Sequence, residues 1–83
     1  MALYFLTYDL RKTKNYDVLY RELDSFQAVR ILDSTWCFKR LNTTSANLRD
    51  YFKGFIDRDD GLIVSEVTNW ASFNTDDIPN SLS

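Results

Sequence analysis

Residues Ala2–Tyr8 read ALYFLTY, with Leu3 and Phe5 on one side of an extended chain and Tyr4, Leu6 and Tyr8 on the other. This aromatic and aliphatic run predicts a strand. Apolar residues on both of its sides predict a central strand covered on both faces. The polar stretch Asp9–Asn15 follows as a loop, and then the period changes. Tyr16, Leu19, Tyr20, Leu23 and Phe26 fall at i, i+3, i+4, i+7 and i+10, the stripe of one helix over Tyr16–Phe26. Asn15 is its expected N-cap, and Asp17 stands where a carboxylate suits the helix dipole.

Ala28–Leu32 and Thr35–Leu41 read as two strands that turn at Asp33-Ser34. No Asn-Gly or Gly-Gly pair marks this turn, so one long kinked strand is the alternative. The hydroxyls of Thr43–Ser45 start a second helix that runs through Phe55, with Leu48, Tyr51, Phe52 and Phe55 as its stripe. Asp60-Gly61 signals a turn into a fourth strand, Leu62–Val67. Trp70 and Phe73 lie in a segment that could add an edge strand. Asn74–Ser83 is polar and is expected to be a loose tail.

The order β, α, β, β, α, β predicts an α+β, ferredoxin-like βαββαβ sandwich over residues 1–73, with an antiparallel sheet and residues 74–83 as the tail. Right-handed crossovers put both helices on one sheet face. The other face would then stand bare. Apolar patches of that size mark interfaces. A homodimer is therefore expected through Tyr4, Leu6 and Tyr8, extended by Trp70 adding to the partner's edge.

Composition narrows the chemistry. Eighty-three residues make one domain of limited core. The chain has no histidine and one cysteine, Cys37, which excludes an internal disulfide, a zinc finger, an iron–sulfur site and a His-activated nucleophile. Any metal must take oxygen ligands, which favours magnesium, manganese or calcium. Aromatic residues make up 16% of the chain, more than a core of this size needs, and so point to a further packing surface. The net charge of −2 gives no whole-chain attraction to nucleic acid, and leaves only a local basic patch as a route to it. Met1–Tyr8 is too short and lacks the basic flank of a signal peptide, and no stretch is long enough to span a bilayer, so no membrane partner is expected. A cytoplasmic location agrees with the lone thiol.

Asp9 follows the first strand directly, in Thr7-Tyr8-Asp9-Leu10, and Arg11, Lys12 and Lys14 stand beside it. Arg30, Lys39 and Arg40 would extend this basic cluster as a phosphate-binding surface. The plain alternatives are an Asx-type bond that closes the loop, a solvated charged loop, and strand charges that guard against aggregation. The acidic run Asp57, Asp59, Asp60 lacks the spacing and terminal glutamate of a calcium-binding loop and reads as a turn. Trp36 and Phe38 share a strand face and read as packing residues more than base-stacking ones. Cys37, on the opposite face, reads as a small buried hydrophobe.

A first strand that ends in Thr-Tyr-Asp, the βαββαβ order and the chain length together resemble the Cas-two family of CRISPR-associated proteins. Leu32-Asp33-Ser34-Thr35-Trp36 looks closer to its small SinR-like members, and the VapD ribonucleases are a more distant likeness. The resemblance covers roughly residues 2–67. It implies a metal-dependent endonuclease or a dimeric nucleic-acid-binding core, in which Asp9 binds a divalent ion such as Mg2+ near the dimer axis and Ser34 acts beside it. Trp36 where phenylalanine is usual, Asp33 before the serine and the weaker basic character depart from that pattern. Two other classes stay open: a non-catalytic interaction or scaffold protein, and a single-stranded RNA reader that stacks bases on sheet aromatics. The second lacks its usual glycine anywhere in Ser34–Leu41.

Overall fold

The computed structural model describes residues 1–11 and 16–82. Four strands, β1 (Ala2–Asp9), β2 (Val29–Leu32), β3 (Thr35–Arg40) and β4 (Gly61–Val67), form one sheet in the order β2-β3-β1-β4. Every neighbouring pair is antiparallel. Helix α1 (Asp17–Ser25) connects β1 to β2, and α2 (Ser45–Phe52) connects β3 to β4. The protein is thus a small α+β domain with a central β1. No helix among the described residues is long and apolar enough to cross a membrane.

Both helices use the stripes their sequences announce. Leu19 and Leu23 of α1 and Leu48 and Phe52 of α2 are buried in one cluster with Tyr4, Leu6, Tyr8, Trp36 and Phe38 from the sheet. Phe26 sits at the centre of an aromatic group, its ring centroid 5.1 Å from that of Phe38 and 5.0 Å from that of Phe52. Tyr4 also stacks on Phe38 and donates its hydroxyl to the Thr43 carbonyl at 3.1 Å, so that its polar end is satisfied inside the fold.

This packing corrects the face expected of β1. Tyr4, Leu6 and Tyr8 are 1%, 0% and 4% exposed and lie under the helices. They are core residues of the single chain and not a surface for a second copy. Period two then places Leu3, Phe5, Thr7 and Asp9 on the helix-free side. The trio is longer and more aromatic than Leu3 and Phe5, and the larger apolar set meets the two helices.

The helix ends differ in detail from expectation. Tyr16 precedes α1 and its side chain makes no capping bond; Asn15, the expected cap, lies outside the described residues. Helix α1 closes in a Schellman arrangement: Ala28 N–H donates to the Leu23 carbonyl and Gln27 N–H to the Asp24 carbonyl, with Gln27 at φ 56°. Thr44 caps α2 by accepting from Asn47 N–H at 3.1 Å. Helix α2 ends at Phe52, and a 3-10 turn over Lys53–Phe55 completes the expected stripe.

The polar tail does not hang loose. Asp76 N–H donates to the Ile31 carbonyl at 2.8 Å, and a 3-10 turn at Pro79–Ser81 buries Pro79. Trp70 and Phe73 form no edge strand. Trp70 instead faces a cavity over the chain's own sheet, beside Phe5, Ile31 and Thr35.

Candidate functional site at the end of the first strand

Strand β1 ends where two loops meet. Asp9 pairs with Gly61, and the chain then turns inward at the buried Leu10 and out again at Arg11. One carboxylate ties this turn to the start of β4. Asp60 accepts from Arg11 N–H at 2.7 Å and from Asp57 N–H at 2.8 Å. The Asp57–Asp60 run is therefore a turn, as its sequence suggested, and it also staples the two loops together.

The Arg11 side chain folds back across this junction. Its Nε donates to Asp9 Oδ2 at 3.0 Å, and its Nη1 lies 3.4 Å from the Asp59 carbonyl oxygen. A β-carbon on Gly61 would sit 3.0 Å from Arg11 Nη2. A glycine there leaves the guanidinium room to lie flat on the strand. The Asp9 and Arg11 side chains are 70% and 59% exposed. A pair this wet contributes about 1 kcal/mol or less, so a divalent ion or a phosphate can displace either partner. Thr7, Leu62 and Ile63 complete an open groove of about 270 Å³ around them.

Ser34 reaches the same end of the sheet from the β2–β3 turn. Its carbonyl accepts from Tyr8 N–H at 3.1 Å, which places it beside the residue preceding Asp9. The two residues expected to act together do share one sheet end. Lys12 and Lys14 lie outside the described residues. Arg30 does not join Arg11: its guanidinium lies over Tyr20 and Trp36, whereas that of Arg11 lies beside Gly61 and Asp9.

Arg30 has another task. Its Nε and Nη2 donate to the Asp33 carbonyl at 3.0 and 2.7 Å, and its Nη2 donates to the Tyr20 hydroxyl at 2.8 Å. Its guanidinium lies 4.9 Å from the centre of the Tyr20 ring and 5.7 Å from that of Trp36. These contacts brace the β2–β3 turn and fasten it to α1. Trp36 also donates its indole N–H to the Tyr8 hydroxyl at 3.4 Å. Burial, and then the bond to Tyr20, push the Tyr8 hydroxyl up to about 12. The sequence assigned Arg30 to phosphate; the nearby Tyr20, Trp36 and turn carbonyl were the signal for a structural role.

Among the described residues, no group of three or more acidic or thiol side chains is placed to hold a metal ion. Asp9 offers one accessible carboxylate. A hydrated magnesium ion needs only one or two carboxylates and keeps its waters, so Asp9 fits as one ligand of a site completed by another molecule.

The aromatic residues of β3 are not open to bases. Trp36 and Phe38 lie in the core with Tyr4 and Tyr8, on the helix side of the sheet. A base-stacking RNA surface thereby loses its aromatics. Cys37 points the other way and is fully buried, as expected of a small hydrophobe.

No protein-family model matches the chain, and no solved structure matches it at a significant level.

Proposed function

We propose that the chain is a Cas-two-like domain with a ferredoxin-like βαββαβ fold, acting in the cytoplasm as a homodimer that binds nucleic acid. Asp9 is the ligand for Mg2+ in a phosphodiesterase reaction. The observation that carries this reading is the position of Asp9. It stands exposed at the end of the central strand, on the helix-free side, in an ion pair weak enough to exchange. Next to it, Ile63, Thr7, Thr35 and Leu32 form one row across the four strands, with Ile63 69% exposed. This row, and not Tyr4, Leu6 and Tyr8, is the surface a second copy would meet. Two Asp9 carboxylates near a twofold axis would hold one ion, which would polarise a phosphodiester and activate water without histidine. Arg11, released from Asp9, would turn to the phosphate.

The test is binding and cleavage of DNA and RNA with and without magnesium, at two salt concentrations. Asp9→Asn should lower magnesium-dependent cleavage at least 100-fold, and Arg11→Gln should weaken binding and reduce its salt dependence. Cleavage unchanged in Asp9→Asn refutes the catalytic assignment.

The Asp9–Arg11 pair itself favours a second reading, a non-catalytic interaction protein in which Arg11 neutralises the carboxylate. That protein would bind neither DNA nor RNA at low salt, with or without magnesium.

A further inference from the structure

Residues on the helix-free face should be bare, yet Ile31 and Cys37 are 5% and 0% exposed. Cys37 shares that face with Phe5 and Val29, its paired residues on β1 and β2. Their cover is a later segment of the same chain. The segment from Trp70 to Leu82 passes over the sheet, bonds to β2 through Asp76 N–H and the Ile31 carbonyl, and seats Pro79. Asp77 lies close enough for its charge to act on the Cys37 thiol.

The cover is irregular and incompletely packed. A cavity of about 280 Å³ remains between it and the sheet, with Phe5, Ile31 and Thr35 as floor and Trp70, Thr75 and Pro79 as wall. The turn around Pro79 is held by bonds within the segment, since Asp77 accepts from Ile78 N–H at 2.8 Å and from the Ser81 hydroxyl. It can therefore keep its shape when it lifts. Phe73 in the same segment is 86% exposed and has its apolar surface in water.

We propose that residues 70–82 are a displaceable strap that competes with a second copy of the chain for the helix-free face. This rests on the pairing put forward above. A tethered segment acts at an effective concentration in the millimolar range. A second copy that binds in the micromolar range is therefore held off until the strap lifts or is captured elsewhere. The strap then sets whether Asp9 meets its counterpart.

Cys37 under the strap reports its opening. Labelling by an aromatic disulfide reagent is compared with the global unfolding rate of the same full chain, and sedimentation gives its association. The expected result is labelling at least tenfold faster than unfolding, in a chain whose monomer and dimer exchange at micromolar concentration. A chain ending at Asn69 should then associate at least tenfold more tightly. Should that shortened chain not fold, Pro79→Gly in the full chain should raise both labelling and association. Labelling only at the unfolding rate overturns the strap and leaves the pairing standing. So does a full chain that dimerises with Cys37 still protected. Full, shortened and Pro79→Gly chains that all stay monomeric while Cys37 labels freely overturn the pairing and, with it, the competition.

Discussion

Replacing Leu6 with alanine separates a core residue from an interface residue. Leu6 is fully buried in the cluster beneath both helices. The change removes three carbons, worth about 2.4 kcal/mol at about 0.8 kcal/mol each. The cavity left behind adds to this, and Leu→Ala changes in cores cost about 2–5 kcal/mol. About 3 kcal/mol is expected here, set against a total of about 4–12 kcal/mol for a domain of this length. At about 4–8 °C per kcal/mol, the melting temperature should fall by roughly 12–24 °C. The assay is urea unfolding at two protein concentrations fifty-fold apart, for the parent and for Leu6→Ala. If Leu6 serves the single chain, the loss is the same at both concentrations. Ile63→Ser is the counterpart, since Ile63 lies on the helix-free side and is mostly exposed. It should change stability by no more than about 0.5 kcal/mol, as surface substitutions do. A loss below about 1 kcal/mol for Leu6→Ala, or one that grows on dilution, would refute the assignment of this face to the core.

Further substitutions probe the supports of the site. Thr44→Ala removes the acceptor for Asn47 N–H and should cost about 1 kcal/mol, read from the urea midpoint. Gln27→Gly relieves a left-handed residue and should stabilise by up to about 1 kcal/mol by the same measure, the gain being reduced by glycine's looser unfolded chain. Arg30→Ala unties the β2–β3 turn from Tyr20 and should cost about 1–2 kcal/mol, with faster amide exchange at Ser34 and Thr35. Alkaline pH should destabilise the fold. Burial, then the charge of Asp77, raise the Cys37 thiol from 9.0 to about 11, and burial raises Tyr8 from 10.0 to about 12. Both groups are neutral in the fold and ionise earlier when it opens. Their contribution is complete below pH 9.0 and is lost as pH climbs through the folded values. Cys37→Ala should flatten the part of that decline between pH 9.0 and about 11 in a series of thermal melts.

The helices were legible because Leu19, Leu23, Leu48 and Phe52 repeat at a period that only a helix satisfies, and the β2–β3 turn fell at Asp33-Ser34 as read. The orientation of β1 was not legible. Both of its sides are apolar, so alternation alone assigned neither to the helices, and Tyr4, Leu6 and Tyr8 were given to a partner. The packing of the polar tail was illegible for the opposite reason. Asn74–Ser83 looks solvated by composition, and its hold on the sheet lies in a backbone bond to Ile31 and in Pro79, which leave no periodic trace. At the site, the position of Asp9 was readable from its place after the strand. Its engagement by Arg11 depends on Gly61, fifty residues away, and only the β1–β4 register brings the two together.

The bond from Asp76 to Ile31 occupies an outward carbonyl of β2, one border of the sheet. The other border is β4, whose neighbour among the described residues is β1 alone. A ribbon that grows strand by strand needs two receptive borders on every molecule, one to accept and one to offer. With β2 obstructed, edge-to-edge pairing of strands is left to β4 against β4. Such a union uses the one open border of each copy and closes on itself, so edge pairing ends in a pair and does not propagate into a fibre.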